Sequence, residues 1–350
     1  MAKTVFNAAA TIALLCSSLN IMPAQEIRWS KLPPIPDREG FAYPFAGISN
    51  GALIVAGGAN FPDKRPWEGG TKRWYDSVFV LERPDGEWKQ VGKLPRTLGY
   101  GVSITTGNGI LCLGGSDPDR HYADCFQMRW TGNEVKFTPL PALPKPCANS
   151  CGAIINNVVF VAGGIEKPDA TKTLHTFWSL DLNDLHSGWR EHDPWPGSER
   201  MLATAGAHNG SFYLFGGTAL EADQDGKTAR RWLRDGYCYS PGRGWTKIAD
   251  LPRVSVAAPT PAPQFGNSKL LVIGGDDGSQ INTPPTEHRG FPRDILAYDA
   301  AADAWTTLLS VPFSLVTTPA VTWNGHIIIP GGEARPGIRS PEVYSGQIAP

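Results

Sequence analysis

Several absences bound this chain before any motif is read. It lacks charge of either sign in excess: 32 Lys and Arg stand against 33 Asp and Glu, a formal net charge of −1 over 350 residues. A near-neutral surface gives nucleic acid or an anionic membrane no electrostatic reason to bind. It lacks long 3.6-period apolar segments after residue 25, and no run beyond the N-terminal one would span a bilayer. It lacks a paired cysteine pattern. Apart from Cys16, the cysteines are Cys112, Cys125, Cys147, Cys151 and Cys238, an odd count that does not suit a complete disulfide framework. Cys147 and Cys151 have neither CxxC spacing nor a matching second pair, and the seven histidines show no ligand spacing, so no metal is expected. The cysteines read as small buried apolar residues, with one disulfide left open.

What is abundant is glycine (39), proline (31) and tryptophan (12). Short apolar runs between turn residues predict many short strands. Residues 1–24 stand apart. Lys3 gives a positive start, Ala8 to Leu19 is apolar apart from Ser17 and Ser18, and Met22-Pro23-Ala24 precedes Gln25 with a small residue where a signal peptidase would cut. A secretory signal over 1–24 is expected, and with it a periplasmic or secreted protein that has no membrane anchor after removal. Lipidation at Cys16 is disfavoured, because Leu15 is bulky for the preceding position.

Glycine pairs fall at Gly57-Gly58, Gly114-Gly115, Gly163-Gly164, Gly216-Gly217, Gly274-Gly275 and Gly331-Gly332, at intervals of 57, 49, 53, 58 and 57 residues. Each closes an apolar run such as Ala52-Leu53-Ile54-Val55. About 20 to 30 residues later comes an aromatic: Trp88, Phe137, Trp189, Trp245 or Trp305. This period with this pattern is the signature of a kelch-type β-propeller. The glycines permit a backbone that a Cβ would obstruct, and the aromatic fills the wedge between blades. The sixth pair has no aromatic after it. Ile27-Arg28-Trp29-Ser30-Lys31-Leu32-Pro33 has the missing one, so the N-terminal strand should close the last blade and remove the ring's free edges. The expectation is an all-β, six-bladed propeller over 25–350. Its blades lie near 40–94, 97–143, 147–196, 200–251, 254–311 and 314–347 plus 26–33.

Loops after the second strands share a face with the inter-blade linkers. There, Gly332-Glu333-Ala334-Arg335-Pro336-Gly337-Ile338-Arg339 sets one carboxylate and two guanidinium groups within seven residues. The linkers add Arg38, Arg96, Lys145, Arg200 and Arg253, which suggests a cationic funnel for an anionic ligand, with pairing to nearby acids as the competing role.

Phe45-Ala46-Gly47-Ile48-Ser49-Asn50, followed by Ala56-Gly57-Gly58-Ala59-Asn60-Phe61, resembles the sialic acid mutarotases, or N-acetylneuraminate epimerases. Tyr100-Gly101-Val102-Ser103 and the Gly332 to Arg339 stretch are similar to that family too. The blade order differs from the usual one, as in a cyclically permuted branch, a rearrangement that a closed ring tolerates. The resemblance implies an isomerase for a small acidic sugar that needs no cofactor. It implies Glu333 as proton acceptor with Arg339 beside it; Asn60, Glu68, Lys72, Arg96, Tyr100, Arg200 and Arg335, polar, aromatic and cationic groups read onto the same face, are the expected substrate-binding set. Arg335 departs from the family, which can have lysine there, and around Trp67 to Lys72 only Glu68, Gly69 and Lys72 line up. Family members can dimerise, so a homodimer is an available state.

Mutarotation opens a pyranose hemiketal and recloses it on the other face, which needs one group to take the anomeric proton and another to protonate the ring oxygen. Glu333 suits the first task; water, Tyr100, Glu68 and His288 are open choices for the second. Glu333 and Arg339 could also form an ion pair that holds the loop, and the two roles are compatible. The competing class is a non-catalytic kelch module that binds a glycan or protein on this face. The turn motif of sialidases is absent.

Overall fold

The computed structural model describes Met1 and residues 26–348 of the chain; the expected export segment lies outside the described residues, Met1 apart. The chain forms six four-stranded antiparallel sheets. Blade one is built from Phe45–Ser49, Ala52–Ala56, Ser77–Leu81 and Lys89–Lys93. Blade six is built from Val321–Trp323, His326–Arg335, Ile338–Ile348 and, outermost, Ile27–Leu32. The N-terminal strand pairs from Ile27 opposite Ile348 to Leu32 opposite Val343, as its aromatic predicted, and Trp29 packs edge-on against Phe313 at 5.0 Å. The fold is therefore all-β, a six-bladed kelch-type propeller closed by its first strand.

The glycine pairs are required by close backbone approach: at Gly57, Gly114, Gly163 and Gly216 a Cβ would meet a carbonyl of the linker into the next blade, and at Gly274 and Gly331 one of the same blade. All twelve glycines have positive φ. A Cβ at Gly57 would lie 2.2 Å from the Leu98 carbonyl oxygen, and one at Gly163 would lie 2.2 Å from that of Arg200. The second glycine then donates its N–H across the same junction: Gly58 to Leu98 O, Gly115 to Cys147 O, Gly164 to Arg200 O, Gly217 to Ser255 O and Gly332 to Phe41 O, at 2.8–3.0 Å. The outer aromatics act likewise. The indole N–H groups of Trp88, Trp189, Trp245 and Trp305 donate to carbonyls of the preceding outer strand or linker (Pro33, Pro141, Asp193, Ala249) at 2.8–2.9 Å.

Around the axis the backbone closes on itself. Tyr43 N–H donates to Thr317 O, Tyr100 to Tyr43, Asn149 to Tyr100, Leu202 to Asn149, Ala257 to Leu202 and Thr317 to Ala257, at 2.6–3.0 Å. All six residues are left-handed, with φ between 43° and 63°. A conformation that costs non-glycine residues about 1–2 kcal/mol each persists only where the surrounding structure enforces it.

One local expectation changes. In blades two and six the strand does not turn at its glycine pair. Gly109–Ser116 and His326–Arg335 run through it, the second with register irregularities between Pro330 and Gly332 and between Glu333 and Arg335. The charged stretch is thus a hairpin that extends blade six above the ring. Of the cysteines, Cys112, Cys125, Cys147 and Cys151 are buried and Cys238 half-buried, and all five are free. Burial pushes the thiols of Cys125, Cys147 and Cys151 up to about 12.

Replacing Gly163 by Ala should lower unfolding free energy by about 1–3 kcal/mol from backbone strain alone, with further cost from the Arg200 carbonyl. Urea unfolding of G163A reads this, and a variant as stable as the parent would contradict the close-approach account.

Candidate functional site

The site is built on the blade-six hairpin. Glu333 and Arg339 lie directly opposite each other in its register, where cross-strand side chains meet. Glu333 Oε1 accepts from Arg339 Nη1 and from the Gly337 N–H, each at 2.7 Å. The Glu333 side chain is 18% exposed and that of Arg339 5%. No donor reaches Glu333 Oε2 among the described residues, and Arg339 Nε is buried without an acceptor. The pair therefore both holds the hairpin and keeps one carboxylate oxygen free of donors.

Neighbouring blades clamp this hairpin. On one side Phe61 lies over the Arg339 guanidinium at 5.0 Å, a cation–π contact. A Cβ at Gly337 would meet Pro66 and Trp67 at 2.8–3.0 Å, so the blade-one loop rests on the hairpin turn. On the other side Ser314 Oγ donates to Ala334 O at 3.1 Å and accepts from the Phe291 N–H at 2.6 Å, which ties in the blade-five loop. Lys72 Nζ sits 4.0 Å from the Tyr100 ring centroid and 4.4 Å from that of Trp74, and Tyr100 packs on Tyr43 at 5.6 Å. These aromatics belong to an apolar floor with Ile165, Met201, Leu202, Leu220 and Phe291.

The structure does not bring the expected set together. Asn60 is fully buried; it donates to Asp37 Oδ1 and Gly40 O and accepts from Tyr75 OH, so it shapes the blade-one loop and offers nothing to a ligand. Arg200 is 0% exposed, bound to Asp235 at 2.9 Å and to the carbonyls of Ser198 and Gly216. Arg96 pairs with Asp124 at 2.8 Å and covers Tyr122. Arg253 pairs with Asp294 and donates to Gly274 O; Arg38 pairs with Glu39. The cationic funnel is therefore corrected for Arg200 and Arg253, whose donors are spent inside the fold; Arg38 is paired but exposed, Arg96 is paired and partly exposed, and Lys145 is exposed with no carboxylate partner among the described residues. Three of these linker arginines anchor to an aspartate at the third strand of the blade they enter, and two also reach the glycine-pair carbonyl. Glu68 is exposed, with Oε2 accepting from the Arg65 N–H at 3.0 Å. Arg335 lines a cavity of about 390 Å³ with Arg289, Arg293, His288 and Tyr344, and neither Glu333 nor Arg339 borders it. Lys72 and Tyr100 stay together as cation and ring, with no ion pair at Lys72 among the described residues.

One residue was missed. Each position after a glycine pair makes the same bridge to the linker: Ala42 with Ala59, Gly99 with Ser116, Ala148 with Ile165, Met201 with Thr218, Val256 with Asp276, and Val316 with Glu333. Glu333 is thus not alone as a carboxylate at this level of the ring, because Asp276 occupies the equivalent position in the adjacent blade. Aligning the six repeats on the glycine pair would have found it.

The fold and site together define a six-bladed kelch-type propeller with a carboxylate–guanidinium pair over its axial opening. The N-acetylneuraminate epimerase family model matches residues 16–137. An N-acetylneuraminate epimerase of Haemophilus influenzae (strain 86-028NP) is 27% identical, over 59% of this chain and 59% of that protein. One of Salmonella arizonae is 42% identical over 100 residues, a quarter of each chain. The chain therefore spans about three fifths, or less, of the curated relatives it matches. The solved structure of YjhT superimposes with a TM-score of 0.66 at 16% identity, covering 91% of this chain and all of that one, which bears on the fold alone. The likeness to the N-acetylneuraminate epimerases, first read from motifs, is thus shown by sequence comparison.

Burial raises the Asp235 carboxyl, but the hydrogen bond and charge of Arg200 outweigh it and leave the pKa below the usual aspartate value. A depressed carboxyl stabilises the fold above its unfolded pKa, about 3.9. That contribution fades as pH falls through the lower folded value. Asp235→Ala should cost about 3–5 kcal/mol by stranding the buried guanidinium. Thermal melts check this, and a variant that melts like the parent would contradict the role of Arg200 as a buried fastener.

Proposed function

We propose that this protein interconverts the α and β anomers of N-acetylneuraminate or a related acidic sugar by acid–base ring opening, and that it does so outside the cytoplasm. The observation that carries the reading is the Glu333–Arg339 pair, which leaves Glu333 Oε2 without a donor among the described residues; Lys72 and the aromatic rings it covers are assigned to the same face. The relatives' names supply the sugar. The composition of residues 1–24 supports export.

Glu333 Oε2 takes the proton of the anomeric hydroxyl. As the bond from anomeric carbon to ring oxygen breaks, its electron pair stays on the ring oxygen, which accepts a proton, and the anomeric carbon becomes a ketone. Rotation about the adjacent carbon–carbon bond presents the other face, and both proton transfers run backwards on reclosure. No atom is gained or lost. Arg339 and Lys72 supply positive charge for the sugar carboxylate and for developing charge on oxygen. A half-buried site with fixed donors strengthens those interactions relative to water.

Anomer exchange measured by NMR on N-acetylneuraminate tests this. The protein should accelerate exchange well above buffer, and Glu333→Gln should lose about 10²–10⁴-fold of that acceleration while still binding the sugar. Binding without any acceleration by the parent protein would make it a glycan-binding propeller instead, and a new product mass would make it a hydrolase or lyase.

A further inference from the structure

The reaction needs a proton donor as well as a base, and the expected donors are poorly placed. Glu68 is exposed and caps its own turn. His288 is buried, and its Nδ1 accepts from the Gly290 N–H at 3.1 Å. Tyr100 is buried in the floor beneath Lys72.

We propose that Asp276 is the catalytic acid that protonates the ring oxygen, an assignment that rests on the mutarotase reading. Three geometric observations carry it. First, Asp276 and Glu333 hold the same place in adjacent blades: each is the residue after its glycine pair, bridged to Val256 and Val316 respectively. The residues that follow those two valines, Ala257 and Thr317, are joined directly by the Thr317 N–H to Ala257 O bond of 2.8 Å. The two carboxylates therefore stand at one level on neighbouring sectors of the axial opening. Second, the loop that Asp276 begins is docked on the hairpin of Glu333. Gly290 lies so close to Ser314 that a Cβ there would meet Ser314 Oγ at 2.7 Å, and that hydroxyl binds Ala334 O. Third, Asp276 is half-buried and forms no ion pair among the described residues. Its Oδ1 accepts from the Gly278 N–H at 3.0 Å, and no protein donor reaches Oδ2.

The surroundings suit an acid. Burial, then repulsion from Asp277, raises the Asp276 carboxyl above its ordinary value; the Gly278 N–H, Arg230 and His288 pull the other way without reversing it. Trp232, packed on Gly278, closes one side. Glu333, by contrast, has a guanidinium beside it. One carboxyl group is thus desolvated and the other ion-paired, the division by which two acids take opposite roles in one site. On opening, Glu333 takes the anomeric proton while Asp276 gives its own to the departing ring oxygen. On reclosure, the Asp276 carboxylate takes the proton from the attacking hydroxyl and Glu333 returns its proton to the carbonyl oxygen.

The sign of the pH dependence follows. The donor must be protonated, so activity should fall as pH rises through the Asp276 pKa, and this alkaline limb should vanish in Asp276→Asn. The test is NMR anomer exchange on N-acetylneuraminate for parent, D276N and D276E. Binding of the methyl α-glycoside, which cannot open, is measured by calorimetry alongside. D276N should lose at least about a hundredfold in exchange rate, keep glycoside affinity within twofold, and melt no lower than the parent, because asparagine keeps the Gly278 contact and cannot ionise in the half-buried site. D276E should recover part of the rate. A D276N rate within threefold of the parent, a parallel loss of glycoside binding, or a lowered melting temperature would overturn the assignment. Absence of exchange in the parent itself would instead overturn the mutarotase reading.

Discussion

Six backbone hydrogen bonds around the axis set the geometry on which everything else in this protein rests. The circuit through Tyr43, Tyr100, Asn149, Leu202, Ala257 and Thr317 requires every member to be left-handed. No member can relax alone, because each N–H donates to the carbonyl of the residue before it in the ring and each carbonyl receives the next. The strain of six unfavourable backbones is offset by closure, and closure fixes the spacing of the six bridges just outside it. Those bridges position Ala59, Ser116, Ile165, Thr218, Asp276 and Glu333. The scaffold is pseudo-sixfold; the chemistry is not, since two adjacent positions hold carboxylates and the other four hold neutral side chains.

The charges on the same face divide by burial. Arg200, buried with Asp235 and the Gly216 carbonyl, is a fastener between a linker and its blade; Arg253 with Asp294 and the Gly274 carbonyl repeats the arrangement, and Arg96 with Asp124 keeps only its ion pair, at the surface. A fully desolvated guanidinium needs a carboxylate and several carbonyls to be tolerated at all, and once satisfied it has nothing left for a ligand. The Glu333–Arg339 pair differs in that its donors and acceptors are incompletely used, with Arg339 Nε still lacking an acceptor. What separates Glu333 from the scaffold carboxylates is that its free oxygen belongs to a partly exposed side chain, whereas Asp235 Oδ1, also without a donor, is buried.

Ring closure also explains how residues near opposite ends of the chain form one site. The strand Ile27–Leu32 completes blade six, so blade one follows blade six directly in space. Phe61, Pro66 and Trp67 then reach the hairpin of Glu333 across more than 260 residues of chain. The loop from blade five approaches from the other side through Ser314.

Much of this was legible in the sequence wherever a residue type answers a steric demand that no other type can meet. The glycine pairs were visible because a Cβ would strike a backbone carbonyl, at four of the six that of the next linker. The tryptophans were visible because they fill and hydrogen-bond the wedge between blades, and the first strand was visible because its Trp29 was the aromatic that the last repeat lacked. Glu333 and Arg339 stood out because charge interrupts an otherwise repeating pattern. The axial ring had no such signature: Tyr, Tyr, Asn, Leu, Ala and Thr share no side-chain property, and backbone closure alone selects their conformation. Nor could the sequence separate Asn60 and Arg200, satisfied inside the protein, from Lys72, which is not, because that depends on partners 20 to 35 residues away brought together by the sheet. Local sterics therefore determined the repeat and its count. Which polar groups remained free for chemistry was decided only when the blades closed, since satisfaction of a buried charge is a property of its neighbours in space.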